Sequence, residues 1–392
     1  MGKTLVVLGA GVAGLPIAHH VLRHTVPKVK DLKVILVTPN TDHYWNLASV
    51  RAVVPGQIGN NAVFEPIAPG FAQYPKDSYE LVFGKAQALD PDSNQVTVTT
   101  NTGVSRTIAY DALVIATGSR YKDSMPWKEV GTTEETKAKL DSLRSQISSG
   151  KSILVAGGGT TGIEVVSEIA FEYGKKGKDV YFVIDKPFPL DDKWRQDVRK
   201  NITTEIEKLG GKVIPSTRVT SARPDPSAAG RHELELTDKD GKTRKMTVDA
   251  YLPTVGMVPN SEFVPAKLRD DAGLVFQDET LRVPGYDNLF VVGDIGNLEV
   301  STAFKADQQL VHLSKNLQKW LVGGDGKTAL DKYVVDTKLV GAVTLGRSRG
   351  TGQFGGWKLF SLMVYFMKGK HMGTDYNKDF AAGKRTISVK AW

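Results

Sequence analysis

Two groups of three glycines are the first residues in this sequence whose spacing could do chemistry. Gly9, Gly11 and Gly14 stand in "TLVVLGAGVAG", and Gly157, Gly159 and Gly162 in "SILVAGGGTTG". Each group follows a short apolar run and opens a stretch with helical character. In the G-x-G-x-x-G pattern the first glycine permits a tight turn and the second lets backbone approach a pyrophosphate. The third lets the helix pack on its strand. A diphosphate would then lie over the helix N-terminus, where unpaired N–H groups and the dipole favour negative charge. A single such turn is also what tight strand–helix packing leaves behind. Two of them, in the same strand–turn–helix setting, argue for two nucleotide sites.

Acidic residues separate the two sites. The second strand of the second unit, "VYFVID", ends at Asp185, placed to bond an adenosine ribose diol and to repel the 2′-phosphate of NADPH. Lys186 beside it blurs that preference for NADH. The matching place in the first unit is Thr38, so an acidic ribose clamp is missing there. "DNLFVVGDIGN" places Asp294 after an apolar strand and a glycine, where a carboxylate can bond a polyol chain. A plain Gly-Asp turn is the bland reading of that motif, and its position relative to two glycine turns makes the polyol reading the stronger one.

The elements that must position these residues also repeat. "DALVIATGS" (111–119) and "DAYLPTVGM" (249–257) each fall about 100 residues after their glycine turn. "KVILVT" and "VYFVI" supply a β-branched second strand to each unit. Alternating strands and helices predict an α/β fold of two Rossmann-like units with parallel sheets, followed by a small C-terminal α+β domain. The expected division is 1–118 with 257–324, then 119–256, then 325–392. A helix is expected over 301–320.

Composition sets limits. The 392 residues are 41% hydrophobic and 24% charged, an ordinary globular balance. There is no cysteine, which removes disulfide scaffolds, thiol nucleophiles, redox Cys pairs and thiolate metal sites, and no metal site is expected. No targeting segment is expected ahead of Thr4, and Val6 stands where a myristoylation motif needs Ser or Thr. Residues 321–392 hold twelve Lys/Arg against five Asp/Glu and so carry +7 of the +8 net charge. A localised excess of this kind points to an anionic surface as partner. In the same region, "GGWKLFSLMVYFMKGKHMG" is apolar with lysine and aromatic flanks. Burial against the rest of the chain or in a homodimer interface is one expectation for 357–370. Peripheral contact with a membrane is the other.

The order GAGVAG, ATG, GGGTTGIE, a second Thr-Gly-type loop and GD resembles the flavoproteins with two dinucleotide-binding domains. In that family the NAD(P)H-binding domain is inserted in the FAD-binding one. Without cysteine the resemblance narrows to type II NADH dehydrogenases, monodehydroascorbate or ferredoxin reductases and apoptosis-inducing-factor-like proteins, and four further stretches narrow it to the ferroptosis suppressor branch. "NLASVRAVVPG", "GIEVVSEI", "VGDIGN" and "TLGRSRGTGQFGG" are each similar to stretches of that branch, in the same order. The resemblance implies FAD contacts from Gly9, Gly11, Gly14, Arg51, Val82 and Asp294, with Thr117 and Gly118 near the cofactor. It implies Glu164 beside nicotinamide and flavin, Phe304 as an aromatic next to the flavin, and Gly256 in the second Thr-Gly loop. That loop, "PTVGMVPN", is one residue longer than usual. The lysine that the branch brings to the flavin from its C-terminal domain has no secure counterpart here: Lys338 and Lys305 are the candidates, and a surface lysine is the simpler reading of each.

The implied activity is oxidation of NADH or NADPH through FAD, with a quinone or other small aromatic acceptor. Two alternatives are a flavoenzyme of specialised metabolism acting on an aromatic or quinone intermediate, and a redox-linked cell-death factor with non-specific DNA binding. Nucleic acid ranks last as a primary partner, because no sequence-reading motif accompanies the basic residues. The expected location is cytoplasmic, or peripheral on a membrane, lipid droplet or outer mitochondrial surface.

Overall fold

The computed structural model describes residues 2–226, 230–300, 302–323 and 328–392. The first glycine turn follows strand Thr4–Leu8 and opens helix Gly14–His24. That strand is the middle of a parallel set, flanked by Lys33–Thr38 on one side and Ala112–Ile115 on the other. The chain returns much later to add Leu289–Val291 beside Ala112–Ile115. Tyr79–Asp90 pairs parallel with Lys33–Thr38, then turns antiparallel toward Gln95–Thr100, and Ser105–Ala109 pairs antiparallel with that strand to complete a seven-stranded sheet. Its central strands are buried on both faces, which is why they read as unbroken Val/Ile/Leu runs.

The second glycine turn repeats this plan. Ser152–Ala156 runs into helix Thr160–Tyr173 and is flanked by Asp179–Val183 and Ala250–Pro253, both parallel. The strand thus stops two residues short of Asp185. A separate antiparallel meander, Thr217–Pro224, His232–Asp238 and Thr243–Val248, lies before the last parallel strand. The two chain segments that cross between the units, Ser119–Tyr121 and Met257–Pro259, pair antiparallel with each other. Helix Thr133–Ser149 enters the second unit behind a capping box made by Thr132 and Glu135.

The expected helix over 301–320 is Ala303–Gly323, packed on Gly14–His24 through Leu310, Leu313 and Leu317. Ser301, named in that expectation, lies outside the described residues. The C-terminal part begins with an antiparallel sheet of Val340–Leu345, Arg349–Phe354 and Trp357–Leu359. Val343 and Leu345 pack with Ile163 and Val166, so this sheet sits against the second glycine helix. The final residues return to the first unit. Trp45 Nε1 donates to Met372 O at 2.9 Å, His43 Nδ1 lies 2.8 Å from Asn377 Oδ1, and Trp392 Nε1 donates to Pro16 O at 2.8 Å.

Candidate active site

Both glycine turns owe their shape to the missing Cβ. Gly9 has φ +100°, and a Cβ there would overlap the carbonyl of Ala116. A Cβ on Gly14 would overlap the carbonyl of Gly9, the close helix–strand approach that the third glycine allows. Gly157, at φ +122°, and Gly162 repeat both relations, with Thr254 taking the part of Ala116. Gly11 and Gly159 instead face open space.

A cleft of about 870 Å³ begins at the first turn. It runs past Thr38, Pro39 and Asn40 at the end of the second strand, passes Thr117 and Gly118, and reaches Asp294. Its far end is formed by Thr160, Thr161 and Glu164 of the second unit and Lys368 of the C-terminal part. Asn260 fixes the floor between them: its Nδ2 donates to Thr117 O at 2.8 Å and its N–H to Gly118 O at 2.9 Å. Asp294 forms an ion pair with Lys128 and accepts from Ser119 Oγ at 3.3 Å. Glu129 also lines the cleft, and burial pushes its carboxyl up to about 7 against the pull of neighbouring Lys128.

Glu164 is the most heavily engaged side chain at the far end. It is buried, and Lys368 Nζ donates to its two oxygens at 2.7 and 2.8 Å. Thr344 adds its backbone N–H at 2.8 Å and its hydroxyl at 3.1 Å. The charge-assisted bonds are the strong members of this set. Three separate parts of the chain therefore meet at one carboxylate.

Of the residues singled out from the sequence, Gly9, Gly11, Thr117, Gly118, Glu164 and Asp294 line this cleft. Gly14 lies beneath it. Val82 is buried in a strand opposite Val37, two residues before cleft-lining Gly84. Phe304 is half exposed, while its neighbours Ala303 and Ala306 reach the cleft. Gly157, Gly159 and Gly162 shape the second turn behind the cleft wall, and Gly256, at φ +76°, packs on Lys122. Asp185 stands apart, exposed, with Arg218 Nη2 at 3.4 Å. Arg51 points away from the cleft, to Glu168 and to the carbonyl of Gly369.

Neither candidate for the C-terminal lysine takes that place, and the surface reading fits Lys338. Lys305 pairs with Glu299 at 3.2 Å, Lys338 is exposed, and neither reaches the cleft. Lys368 does. Sequence reasoning missed it because it sits in "FMKGK", inside an apolar run with no motif around it. Lys128 was missed because it lies in a crossover segment where spacing carries no information, and Asn260 because the extra residue in "PTVGMVPN" left that loop's contacts unassigned.

The cleft fits FAD on its own features. A glycine turn with backbone exposed at Gly11 and a helix N-terminus behind it suit a diphosphate. A carboxylate at Asp294, farther along, suits the hydroxyls of a polyol chain. Fold and cleft together define a flavoprotein oxidoreductase with two dinucleotide-binding units. The chain belongs to the pyridine nucleotide-disulphide oxidoreductase family, whose model matches residues 3–310. FAD is its cofactor, and NADH or NADPH its co-substrate.

Among curated relatives, oxidoreductase ptaL of Pestalotiopsis fici is 34% identical, over 92% of this chain and 94% of that one. Oxidoreductase phnG of Penicillium herquei is 30% identical, over 94% and 93%. Ferroptosis suppressor protein 1 of Xenopus laevis is 25% identical, over 93% and 92%. Among solved structures, the sulfide:quinone oxidoreductase of Aquifex aeolicus superimposes with a TM-score of 0.76 at 18% identity, over 97% of this chain and 92% of that one. NDH2 of Plasmodium falciparum in complex with NADH does so with 0.75 at 13%, over 96% and 98%.

Proposed function

We propose that this oxidoreductase passes a hydride from NADH or NADPH to FAD held in the cleft, and electrons onward to a quinone-type acceptor. The observation that carries this reading is the Glu164–Lys368 pair, where the second glycine helix and the C-terminal part meet the cleft of the first unit. Bound FAD supplies the two-electron chemistry that links a nicotinamide donor to an oxidised acceptor. The chain's residues do the positioning. Gly9, Gly11 and the start of helix Gly14–His24 receive the diphosphate of FAD. Asp294, held by Lys128 and Ser119, accepts from the hydroxyls of its polyol chain. Glu164 would orient the nicotinamide, and the Lys368 ammonium, held on Glu164, would present positive charge to the bound cofactor. On this reading, residues 1–118 with 257–324 hold FAD, 119–256 take the nicotinamide dinucleotide, and 325–392 close the site.

A quinone is the acceptor named for the sulfide:quinone oxidoreductase that shares the fold. Segment 357–370 supports a lipid-soluble acceptor. It is an edge strand, a short helix and a π-turn, and Trp357 and Phe360 are 81% and 80% exposed. Leu362, Phe366 and Met367 are exposed beside them, with Lys358 and Lys370 in the same stretch and no acidic residue. Apolar side chains rimmed by lysine suit the interface of an anionic bilayer. No helix among the described residues is long and apolar enough to cross a membrane. A second reading, a flavoenzyme of specialised metabolism with an aromatic or quinone substrate, is favoured by the whole-length match to the two fungal oxidoreductases.

Purified protein tests the first reading. Its flavin absorbance should bleach with NADH and recover on adding a short-chain quinone. A protein reduced by NADH but reoxidised by no quinone would remove the acceptor assignment. In flotation with anionic vesicles, Phe360→Glu with Leu362→Glu should stay at the bottom of the gradient while the parent floats. Equal flotation of both would remove the membrane contact.

A further inference from the structure

Helix Thr160–Tyr173 carries three glutamates at one-turn spacing, Glu164, Glu168 and Glu172, of which the first two are buried. Glu164 holds Lys368. Glu168 holds Arg51, whose Nε and Nη2 both donate to its Oε1, at 2.9 and 2.7 Å. The third donor of the same guanidinium, Nη1, reaches the carbonyl of Gly369 at 2.8 Å. Gly369 directly follows Lys368. One arginine thus ties the helix that carries Glu164 to the backbone beside the lysine that Glu164 binds.

The tie is built into the interior. Arg51 is 5% exposed and Glu168 1%. Burying such a pair costs several kcal/mol per ion before its attraction is counted, so stability alone is a poor reason for it. The arrangement is also not one that local structure requires. Residues 365–369 form a π-turn closed by Lys370 N–H to Tyr365 O at 2.8 Å, and the Gly369 carbonyl is taken by Arg51. Glu168 Oε2 has no hydrogen-bond partner among the described residues. Burial holds the Glu168 carboxyl above the usual carboxylate range, with Arg51 opposing. Arg51 does not line the cleft, so its reach is to protein groups.

We propose that Arg51 and Glu168 are positioning residues, which fix the backbone at Gly369 so that the Lys368 ammonium is held on Glu164. This rests on the role given above to the Glu164–Lys368 pair. It departs from the FAD contact that family resemblance implies for Arg51. A group acting through Lys368 has nothing left to contribute once Lys368 is gone, whereas a general stabiliser or a FAD ligand still does.

Rapid-mixing measurement of flavin reduction by NADH in holoprotein tests the proposal, with flavin content and thermal midpoint recorded for every variant. Lys368→Met should slow reduction about 100-fold. Arg51→Met should slow it about 10-fold or more, with flavin content unchanged and the NADH concentration for half-maximal rate within about 2-fold. Arg51→Lys should recover part of the loss, since one ammonium can serve Glu168 or Gly369 but not both. Arg51→Met combined with Lys368→Met should be no slower than Lys368→Met alone. Additive losses in the double variant would overturn the proposal, as would Arg51→Met protein that loses its flavin while the remaining holoprotein reacts normally. If Arg51→Met does not fold, Glu168→Gln, close in shape, is put through the same combination with Lys368→Met and read the same way. A full reduction rate in Lys368→Met removes the role of the Glu164–Lys368 pair and the positioning with it. A slow Lys368→Met with a normal Arg51→Met and Glu168→Gln removes the positioning alone.

Discussion

The two glycine turns have one backbone and two settings. Gly9 and Gly157 both take positive φ, and Gly14 and Gly162 both press against the carbonyl of their first glycine. Above the first turn the cleft is deep, and the adjoining strand ends at Thr38, which is 2% exposed. The second turn lies behind the wall, and only Thr160, Thr161 and Glu164 from its helix reach the cleft. Its strand leads on to Asp185, open to solvent beside Arg218. The difference lies between a turn that lines a cleft and one whose strand leads to a residue open to solvent. A long, walled site suits a cofactor that stays, and an exposed site suits a co-substrate that exchanges at every turnover. On the proposed reading the turn supplies diphosphate binding, and the surrounding walls decide how long the ligand remains.

Substitutions that act on one turn and spare the other would break or sharpen this contrast. The largest effect is expected from Gly14→Ala against Gly162→Ala, since each places a Cβ into a carbonyl. Gly14→Ala should purify without flavin absorbance. Gly162→Ala should stay yellow yet reduce about 100-fold more slowly with NADH. Flavin loss from Gly162→Ala with retention in Gly14→Ala would reverse the assignment of the two sites.

A smaller effect is expected at Asp185. Asp185→Ser should lower kcat/KM for NADH by about 10-fold and raise that for NADPH, because a repelling carboxylate is gone and Lys186 and Arg218 remain. An unchanged ratio of the two would exclude Asp185 from the ribose site. The exposed ion pair with Arg218 adds little stability of its own, so this variant should melt like the parent.

The smallest effect concerns Glu129 in the enclosed cleft. Its carboxyl, held up to about 7, keeps its proton in the folded protein at pH values where the unfolded chain has lost it. The folded state therefore binds the extra proton between the ordinary carboxylate range and about 7, and stability falls as pH rises through that window. Glu129→Gln removes the fall. Its melting temperature relative to the parent should rise between pH 5 and 8, by the equivalent of about 1–3 kcal/mol. A difference that stays flat with pH would show that Glu129 is ionised throughout.

Much of this molecule can be read along the chain, because strand–turn–helix units are local. A glycine that must take φ +100° or admit a helix at close approach is specified by its immediate neighbours. Gly9, Gly11, Gly14 and their counterparts were therefore visible from spacing, as was Asp294 after its strand, whereas Glu164 stood out only through resemblance to a family. The burial of Thr4–Leu8 and Ser152–Ala156 was visible in their uninterrupted apolar character.

The far end of the cleft was not. Lys368 meets Glu164 across 204 residues and Arg51 meets Glu168 across 117, with no periodicity to relate them. Arg51, taken by resemblance for a cofactor contact, proved to face protein groups. The aromatic stretch 357–370 looked equally suited to a core or to an interface, since hydrophobicity says a side chain avoids water and not where it goes. Its exposure followed only once the edge strand Trp357–Leu359 and the π-turn were in place. The sequence by itself determined two nucleotide-binding turns and the strands that carry them, through local backbone geometry and apolar patterning. The tertiary structure alone decided which turn is enclosed, which lysine completes the site and which apolar residues stay in contact with solvent. Those outcomes depend on packing between segments far apart in the chain.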